Sequence, residues 1–434
     1  MVHQNSSASS PHYYLQSAAT GTQYRDTDWI LTPENEATPS LLQSVYRDNQ
    51  LQINENETGI FRYANWLPVH KSLNGSAATV TYKSTGLAES LGLNNLYIGF
   101  NGYWPEKEAR MQTCSFKETE AYPVCGRFYP LSDKTLVVAS AGNTARAFAH
   151  VCSENRIPVI IFVPERNFSA LWSNKPFHDC VSLVAVSDAD YLDAIRLSER
   201  VCDGQKYIPE GGVKNPARRD GMGTVILSAA TTIGHIPDYY FQAIGSGSGA
   251  IAAWETNRRL LNDGRFGSNK MKLMVSQNKP FTPVYHAWRS RSRELDHEKI
   301  REEQGYIPKL FSNVLSNRQP AYSIRGGLYD ALTDTSGDVL VVDNEAAAEA
   351  SQLFAETEGI DIHPAAAVAT ASLIKQVREG SISHNADILL NITGGGEQRF
   401  KRDYGVITMK PNLTLDKNTS GEELQEALTD LVSA

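Results

Sequence analysis

The chain has 434 residues and a formal net charge of −8 at pH 7, with 41 Lys and Arg against 49 Asp and Glu. That length accommodates two α/β domains with buried cores, and the acidic balance excludes a nucleic-acid binder, which needs a basic face. The five cysteines, Cys114, Cys125, Cys152, Cys180 and Cys202, lack paired metal spacing and point to a reduced, cytoplasmic setting; no apolar run is long enough to span a bilayer, and no secretory signal opens the chain.

Residues 1–12 are polar and serine-rich, the composition of a disordered end. Residues 13–24 read as an extension that packs on the body through Tyr13, Tyr14 and Leu15. Its Ser17-Ala18-Ala19-Thr20-Gly21 offers no thiolate to zinc, so 1–60 is expected to be an extension without metal ligands. Residues 35–61 are polar and are expected to form a helix with connecting loops. A strand is expected at 93–100. The loop after it, 101–112, carries Tyr103 and Trp104, which either wall a ligand or only pack.

Next comes Thr113-Cys114-Ser115-Phe116-Lys117-Glu118-Thr119, one lysine among small hydroxyl and thiol residues. An amine is nucleophilic only when neutral, through partial burial or conversion to an imine, which makes Lys117 a Schiff-base candidate. A helix-start lysine behind a Ser or Thr cap is the other reading. Ser140-Ala141-Gly142-Asn143-Thr144 then lies between an apolar strand at 134–139 and a helix at 144–155. Free N–H groups at such a helix start bind anions, although Ser140 and Thr144 also suit plain capping. Strands at 157–163 and 181–187 and a helix at 189–202 continue the alternation, which implies a parallel sheet flanked by helices; 133–235 is expected to be a smaller, mobile domain.

Lys214, Arg218 and Arg219 form a basic cluster, suited to a phosphate or small oxyanion, or equally to an ordinary helix start. A helix at 222–233 leads back to the larger domain and to Gly245-Ser246-Gly247-Ser248-Gly249, again between strand and helix, which reads as a phosphate cradle. With Ala250 in the last glycine position the loop also meets a relaxed dinucleotide fingerprint. The next strand, however, ends in Asn278 rather than an acid, and Asp263 sits in a turn before it, so a lone phosphate fits better. Residues 286–303 are charged and irregular. Helices at 345–358 and 364–379 and a strand at 387–392 precede Thr393-Gly394-Gly395-Gly396, and Ser420-Gly421-Glu422-Glu423 is a capping box opening a last helix.

The succession Ser-Phe-Lys, Ser-Ala-Gly-Asn-Thr, Gly-Ser-Gly-Ser-Gly and Thr-Gly-Gly-Gly resembles fold type II of the pyridoxal phosphate enzymes, the tryptophan synthase β-like group that holds threonine synthase and cysteine synthase. Within it the chain is similar to the cysteate synthases. That likeness rests on the stretches 96–107, Thr113-Cys114-Ser115-Phe116-Lys117-Glu118, Pro209-Glu210-Gly211-Gly212, 218–224 and 326–332, and covers most of 63–403. The Asn-Pro-Thr-Gly segment and Ser-Phe-Lys-Asp context expected of threonine synthase are absent.

The resemblance implies an α/β fold of two open, twisted, mostly parallel sheets flanked by helices, with 61–132 and 236–434 as the larger, cofactor-binding domain. It implies pyridoxal 5'-phosphate bound as an aldimine to Lys117, its phosphate at Gly245, Ser246, Gly247, Ser248 and Gly249, its phenolic oxygen at Asn143 and its ring nitrogen at Thr393. Ser140, Ala141 and Thr144 would hold the substrate carboxylate, and Lys214, Arg218 and Arg219 a phosphate or sulfite; no metal is implied. The implied reaction is O-phospho-L-serine plus sulfite to L-cysteate plus phosphate, through an aminoacrylate. Threonine synthesis from O-phosphohomoserine, another nucleophile, or a non-catalytic cofactor binder are the alternatives. The expected partners are an amino-acid substrate and a small anion, with neither membrane nor nucleic acid, in a homo-oligomer of two or three chains.

Overall fold

The computed structural model describes residues 12–433 other than 28, 132 and 141; the serine-rich start up to residue 11 lies outside them. The amino-terminal extension is a small antiparallel sheet, ordered β2-β1-β3, of β1 (Tyr13–Ser17), β2 (Gln23–Tyr24) and β3 (Leu42–Tyr46). Tyr13 and Leu15 are buried and Tyr14 is half-buried, so the extension packs by one face, as period-two alternation demands. The helix expected at 35–61 is corrected by the same alternation. In Leu42-Gln43-Ser44-Val45-Tyr46 every second residue is buried, and only a 3-10 turn, Ile60–Trp66, is helical in that stretch.

Two strands, β4 (Val80–Lys83) and β5 (Asn95–Phe100), open the larger sheet, and helix α1 (Lys117–Phe128) leads the chain away from it. The smaller sheet takes β6 (Thr135–Ala139), helix α2 (Asn143–Asn155), β7 (Val159–Pro164), β8 (Val181–Ser187), helix α3 (Tyr191–Val201) and β9 (Tyr207–Pro209). All of β7 is buried, the mark of a parallel strand covered on both faces. Helix α4 (Pro216–Ile233), buried along most of its length, returns the chain by packing against α1 and against helix α5 (Ser248–Asp263). β10 (Tyr239–Ala243), β11 (Lys272–Asn278), β12 (Asp338–Val342), helix α6 (Pro364–Arg378) and β13 (Asp387–Ile392) complete the larger sheet, whose order is β12-β11-β10-β13-β5-β4. Its strands run parallel except β4, which is antiparallel to β5.

After helix α7 (Glu397–Tyr404) the chain departs from the boundaries expected of it. β14 (Leu413–Asp416) pairs in parallel with β8, so the smaller sheet is ordered β9-β6-β7-β8-β14, and helix α8 (Gly421–Ser433) packs on α3. Leu415, Leu424 and Leu428 are drawn there because they complete the apolar face formed by Val184, Val186, Ala194 and Leu197. The smaller unit therefore gains the carboxyl-terminal residues, while α4, inside the expected 133–235, packs Met222, Val225 and Ile226 into the apolar cluster of the larger one. The capping box is present: the Ser420 N–H donates to Glu423 and the Glu423 N–H donates to Ser420 Oγ.

Candidate active site

In the larger sheet β10, β13 and β5 are adjacent and parallel, so their carboxyl ends share one edge. Such an edge is where an open α/β sheet places its ligands. The Gly245 loop leaves β10, the Thr393 loop leaves β13, and the loop to Lys117 leaves β5, which brings three separated motifs together by topology. A buried polar chain runs across the same strands: Thr79 donates to Asn101 (2.6 Å), Asn101 to Asn391 (2.8 Å), Asn391 to the Tyr240 hydroxyl (2.7 Å), and Tyr240 to Gln242 (2.5 Å). None of these residues stands out in the sequence reading.

The segment before Lys117 is clamped from the Thr393 side. Phe116 N–H donates to the Thr393 carbonyl (3.0 Å), Ser115 bridges Gly394, and Gly395 N–H donates to the Cys114 carbonyl (3.2 Å). Cys114 lies in the left-handed region at φ 52°, a conformation a non-glycine residue holds only where its surroundings impose it. Its side chain is buried beside Tyr103, Trp172 and Phe400, so this cysteine is a packing residue. Gly394 is required, since a Cβ there would stand 2.2 Å from His363 Nδ1. Tyr103 packs on Phe400 and Tyr404 and donates its hydroxyl to Asp403 (3.2 Å), and Trp104 packs on Tyr82 and Phe100.

The Lys117 ammonium donates to Glu120 Oε2 (3.1 Å). That carboxylate, fully buried, also accepts from Arg218 Nη1 (2.9 Å) and, through Oε1, from the Thr144 hydroxyl (2.9 Å). Arg218 is in turn held in a two-point pair by Glu210, at 2.8 and 2.6 Å. Lys117, Thr144 and Arg218 are thus brought together, through two carboxylates that the sequence reading left unassigned. Arg219 does not join them and is corrected as a substrate ligand. Its side chain is fully buried, and its N–H groups are taken by Glu255 and by the carbonyls of Val213 and Leu42. Lys214 is exposed.

From the smaller sheet, the loop after β6 brings Ser140 and Asn143. Ser140 is buried and its Oγ accepts from Gly142 N–H (3.2 Å); Ala141 lies outside the described residues. Arg146, stacked over Trp172, donates to Asn143 Oδ1 (3.1 Å) and to the Thr113 carbonyl (2.9 Å), which leaves the Asn143 amide group as a donor. Glu397 stands 3.8 Å from Arg146 and accepts from His363 (3.0 Å). Burial would raise the Glu397 carboxyl, but these two partners outweigh it and hold it at about 2. In Glu118 burial prevails over the hydrogen bonds from Thr113 and the charge of Arg146 and pushes the carboxyl up to about 7, and one of its oxygens has no partner among the described residues.

The Gly245 loop ends at α5, whose N-cap, Gly247, has no side chain to cap it, and the Ser248 N–H reaches Ser246 Oγ (3.3 Å). Gly247 takes φ 83°, the Ser246 and Ser248 hydroxyls lie 3.0 Å apart, and Ala321 N–H holds the Ser246 carbonyl (2.9 Å). A Cβ on Gly249 would stand 2.5 Å from Gln242 Nε2, so only glycine lets this helix start close on the sheet. The remaining first-turn amides with two hydroxyls are a donor set for a phosphate monoester. Asp263 accepts from Leu51 N–H and pairs with Arg265, so it has no role toward a ribose.

A family model described as pyridoxal-phosphate dependent enzyme matches residues 79–394. The cysteate synthase of Methanosarcina barkeri is 46% identical over 405 residues, 93% of this chain and 96% of that protein. Those of Methanocorpusculum labreanum and Methanoregula boonei are 47% and 44% identical, covering 90% and 98% of this chain and 94% and 99% of theirs. Among solved structures, a pyridoxal 5'-phosphate-dependent aspartate racemase and maize serine racemase share the fold. Each superposes at TM-score 0.54, with 16% and 15% identity, over 74% and 82% of this chain and 90% and 92% of theirs.

Proposed function

The chain belongs to the family of pyridoxal-phosphate dependent enzymes, and from that premise we propose that it replaces the β substituent of an amino acid, converting O-phospho-L-serine and sulfite to L-cysteate and phosphate. The observation that carries this reading is the meeting of Lys117, Thr144 and Arg218 on the buried Glu120, beside the clamp formed by Thr393. The residues fit the cofactor: the start of α5 suits its phosphate, Lys117 its aldehyde, the free amide group of Asn143 its phenolic oxygen, and Thr393 its ring nitrogen. Bound there, the cofactor supplies an electron sink for the α carbon of the substrate.

The protein side chains do the rest. Lys117 Nζ takes the α proton and later returns it, and Glu120 Oε2 at 3.1 Å holds the ammonium in the interval. The Ser140 hydroxyl and the Thr144 N–H receive the substrate carboxylate at the start of α2, the Thr144 hydroxyl being committed to Glu120. Thr393 offers a hydroxyl where a carboxylate would keep the ring nitrogen protonated, which favours prompt departure of a β substituent. The phosphate leaves with the electron pair of its bond to the β carbon. The sulfur lone pair of sulfite then forms the new bond to that carbon. Arg218 bears on these anions through Glu120, since its N–H groups are already shared between two carboxylates; the exposed Lys214 is the other cation of the cluster.

The test is a product assay in which O-phospho-L-serine is offered with sulfite, sulfide or thiosulfate. Phosphate release and cysteate formation with sulfite are expected. Faster formation of threonine from O-phosphohomoserine and water would replace this reading with threonine synthesis. Failure to release phosphate from either compound would reject both.

A further inference from the structure

A second cavity, of about 710 Å³, lies where the amino-terminal sheet meets α5 and the Arg325–Gly326 segment. Gln16, Gln43, Trp254, Arg258, Arg325 and Asp330 line it, and none belongs to the site around Lys117. Its arginines differ from their neighbours. Arg219, Arg259, Arg265 and Arg293 each pair with a carboxylate, to Glu255, Asp220, Asp263 and Asp330. Arg258 and Arg325 are exposed and, among the described residues, neither has a carboxylate within ion-pair distance. Arg258 lies over the Trp254 ring, and its contact to protein oxygen is a long one, 3.4 Å to Gln43 Oε1.

That contact fixes the Gln43 amide, because the oxygen must face the guanidinium. The other end, Nε2, is buried with no acceptor among the described residues, and it lies on the Gly326 side, 3.6 Å from where a Cβ on Gly326 would stand. A buried donor left unpaired is costly, and such sites are retained where a ligand completes them. The acids nearby are occupied. Asp330 is held by Arg293 and by Gly326 N–H, and Glu36, beside Ser17 and Thr20, accepts from the hydroxyls of Ser17, Thr20 and Tyr24. Donors from three separate elements therefore converge on one cavity whose lining carboxylate, Asp330, is already held.

We propose that this cavity is a second anion site, distinct from the cofactor site, for a small metabolite bearing a phosphate or carboxylate group. Guanidinium matches either oxyanion with parallel N–H donors, and the Trp254 face keeps Arg258 extended toward it. The position gives such a ligand a route to the chemistry. Arg258 stands on the helix whose first turn is the cradle, and Arg325 follows Ala321, whose N–H holds the cradle carbonyl of Ser246. Leu328, just beyond Gly326, packs against Gly247.

The test is calorimetric titration of the cofactor-loaded protein, at low ionic strength, with inorganic phosphate in one arm and malonate in the other. A saturable heat is expected in at least one arm, phosphate alone marking a phosphate-bearing ligand and malonate alone a carboxylate-bearing one. The double variant Arg258→Met/Arg325→Met changes two exposed side chains and should keep the fold and the cofactor absorption while binding at least about tenfold more weakly. Equal binding by the variant, or heat that disappears when O-phospho-L-serine saturates the site at Lys117, would assign the anion to that site and overturn the proposal. Absence of binding in both arms would overturn it as well.

Discussion

The cradle at Gly245–Gly249 offers peptide N–H groups, which carry no net charge and do not titrate, whereas the cluster around Glu120 sets two carboxylates and a guanidinium where water scarcely reaches, with a partly exposed ammonium at its edge. The first depends on one backbone conformation, that of Gly247, and on the small size of Gly249. The second depends on Arg218, the cation shared by both buried carboxylates, because a buried ion pair roughly cancels its own desolvation cost and a broken one does not. A site built in both ways responds to two kinds of damage: the cradle should lose ligand and keep fold, and the ionic cluster should lose fold before ligand.

The largest effect tests where the two regions meet. Lys117→Ala should abolish borohydride-fixed cofactor while circular dichroism stays native, since Glu120 keeps Arg218 and Thr144 as partners; fixation to another lysine in the parent protein would dissolve the pairing of the two regions. Arg218→Ala leaves Glu210 buried without a cation and Glu120 with Lys117 alone, and should cost about 3–5 kcal/mol in urea unfolding of the cofactor-free protein. Gly247→Asp should cost about 4 kcal/mol of cofactor affinity, the repulsion of like charges at about 4 Å in an intermediate dielectric, with a smaller loss of stability from its positive φ. If the arginine variant stayed stable while the glycine variant unfolded, the contrast would be reversed.

The smallest effect sharpens the electrostatic half. Glu118 titrates at about 7 in the fold against an ordinary 4.5, so the folded state binds the extra proton between those values. Stability should therefore fall as pH rises from 4.5 to 7, by on the order of 3 kcal/mol, and level off above. Glu118→Gln, which mimics the protonated form, should flatten that slope in urea midpoints measured across the window. Glu397 runs the other way, with stability lost only as pH falls from 4.5 toward 2.

The same contrast explains what the sequence made legible. The cradle, the Thr393 turn and the alternation from β6 to β9 are written locally: glycines and small hydroxyls between an apolar strand and a helix have few other uses. The segments of Lys117, Thr144 and Thr393, which the fold brings together, were readable for that reason. Glu120 and Glu210 were not, because their roles come from Arg218, 98 and 8 residues away, and nothing in Glu-Thr-Glu distinguishes a buried acid from a helix-start one. Adjacent residues on α4 likewise point to different places, so Arg218 and Arg219, one motif in the sequence, belong to separate networks. The strand at Leu42–Tyr46 was missed because polar flanks hid a period of two, and β14 because its partner is remote in the chain.

That last strand has a consequence for how the molecule is made. Leu183 on the β8 edge is bonded by Asn412, 229 residues later, so the edge stands uncovered until almost the whole chain has been synthesised. At ordinary elongation rates the wait is roughly ten to fifty seconds. An apolar parallel strand left open for that long is a ready template for a neighbouring chain. The smaller sheet, although much of it is encoded before most of the larger one, is the part of this protein finished last, and the interval before β14 arrives is when a nascent chain has most need of a chaperone.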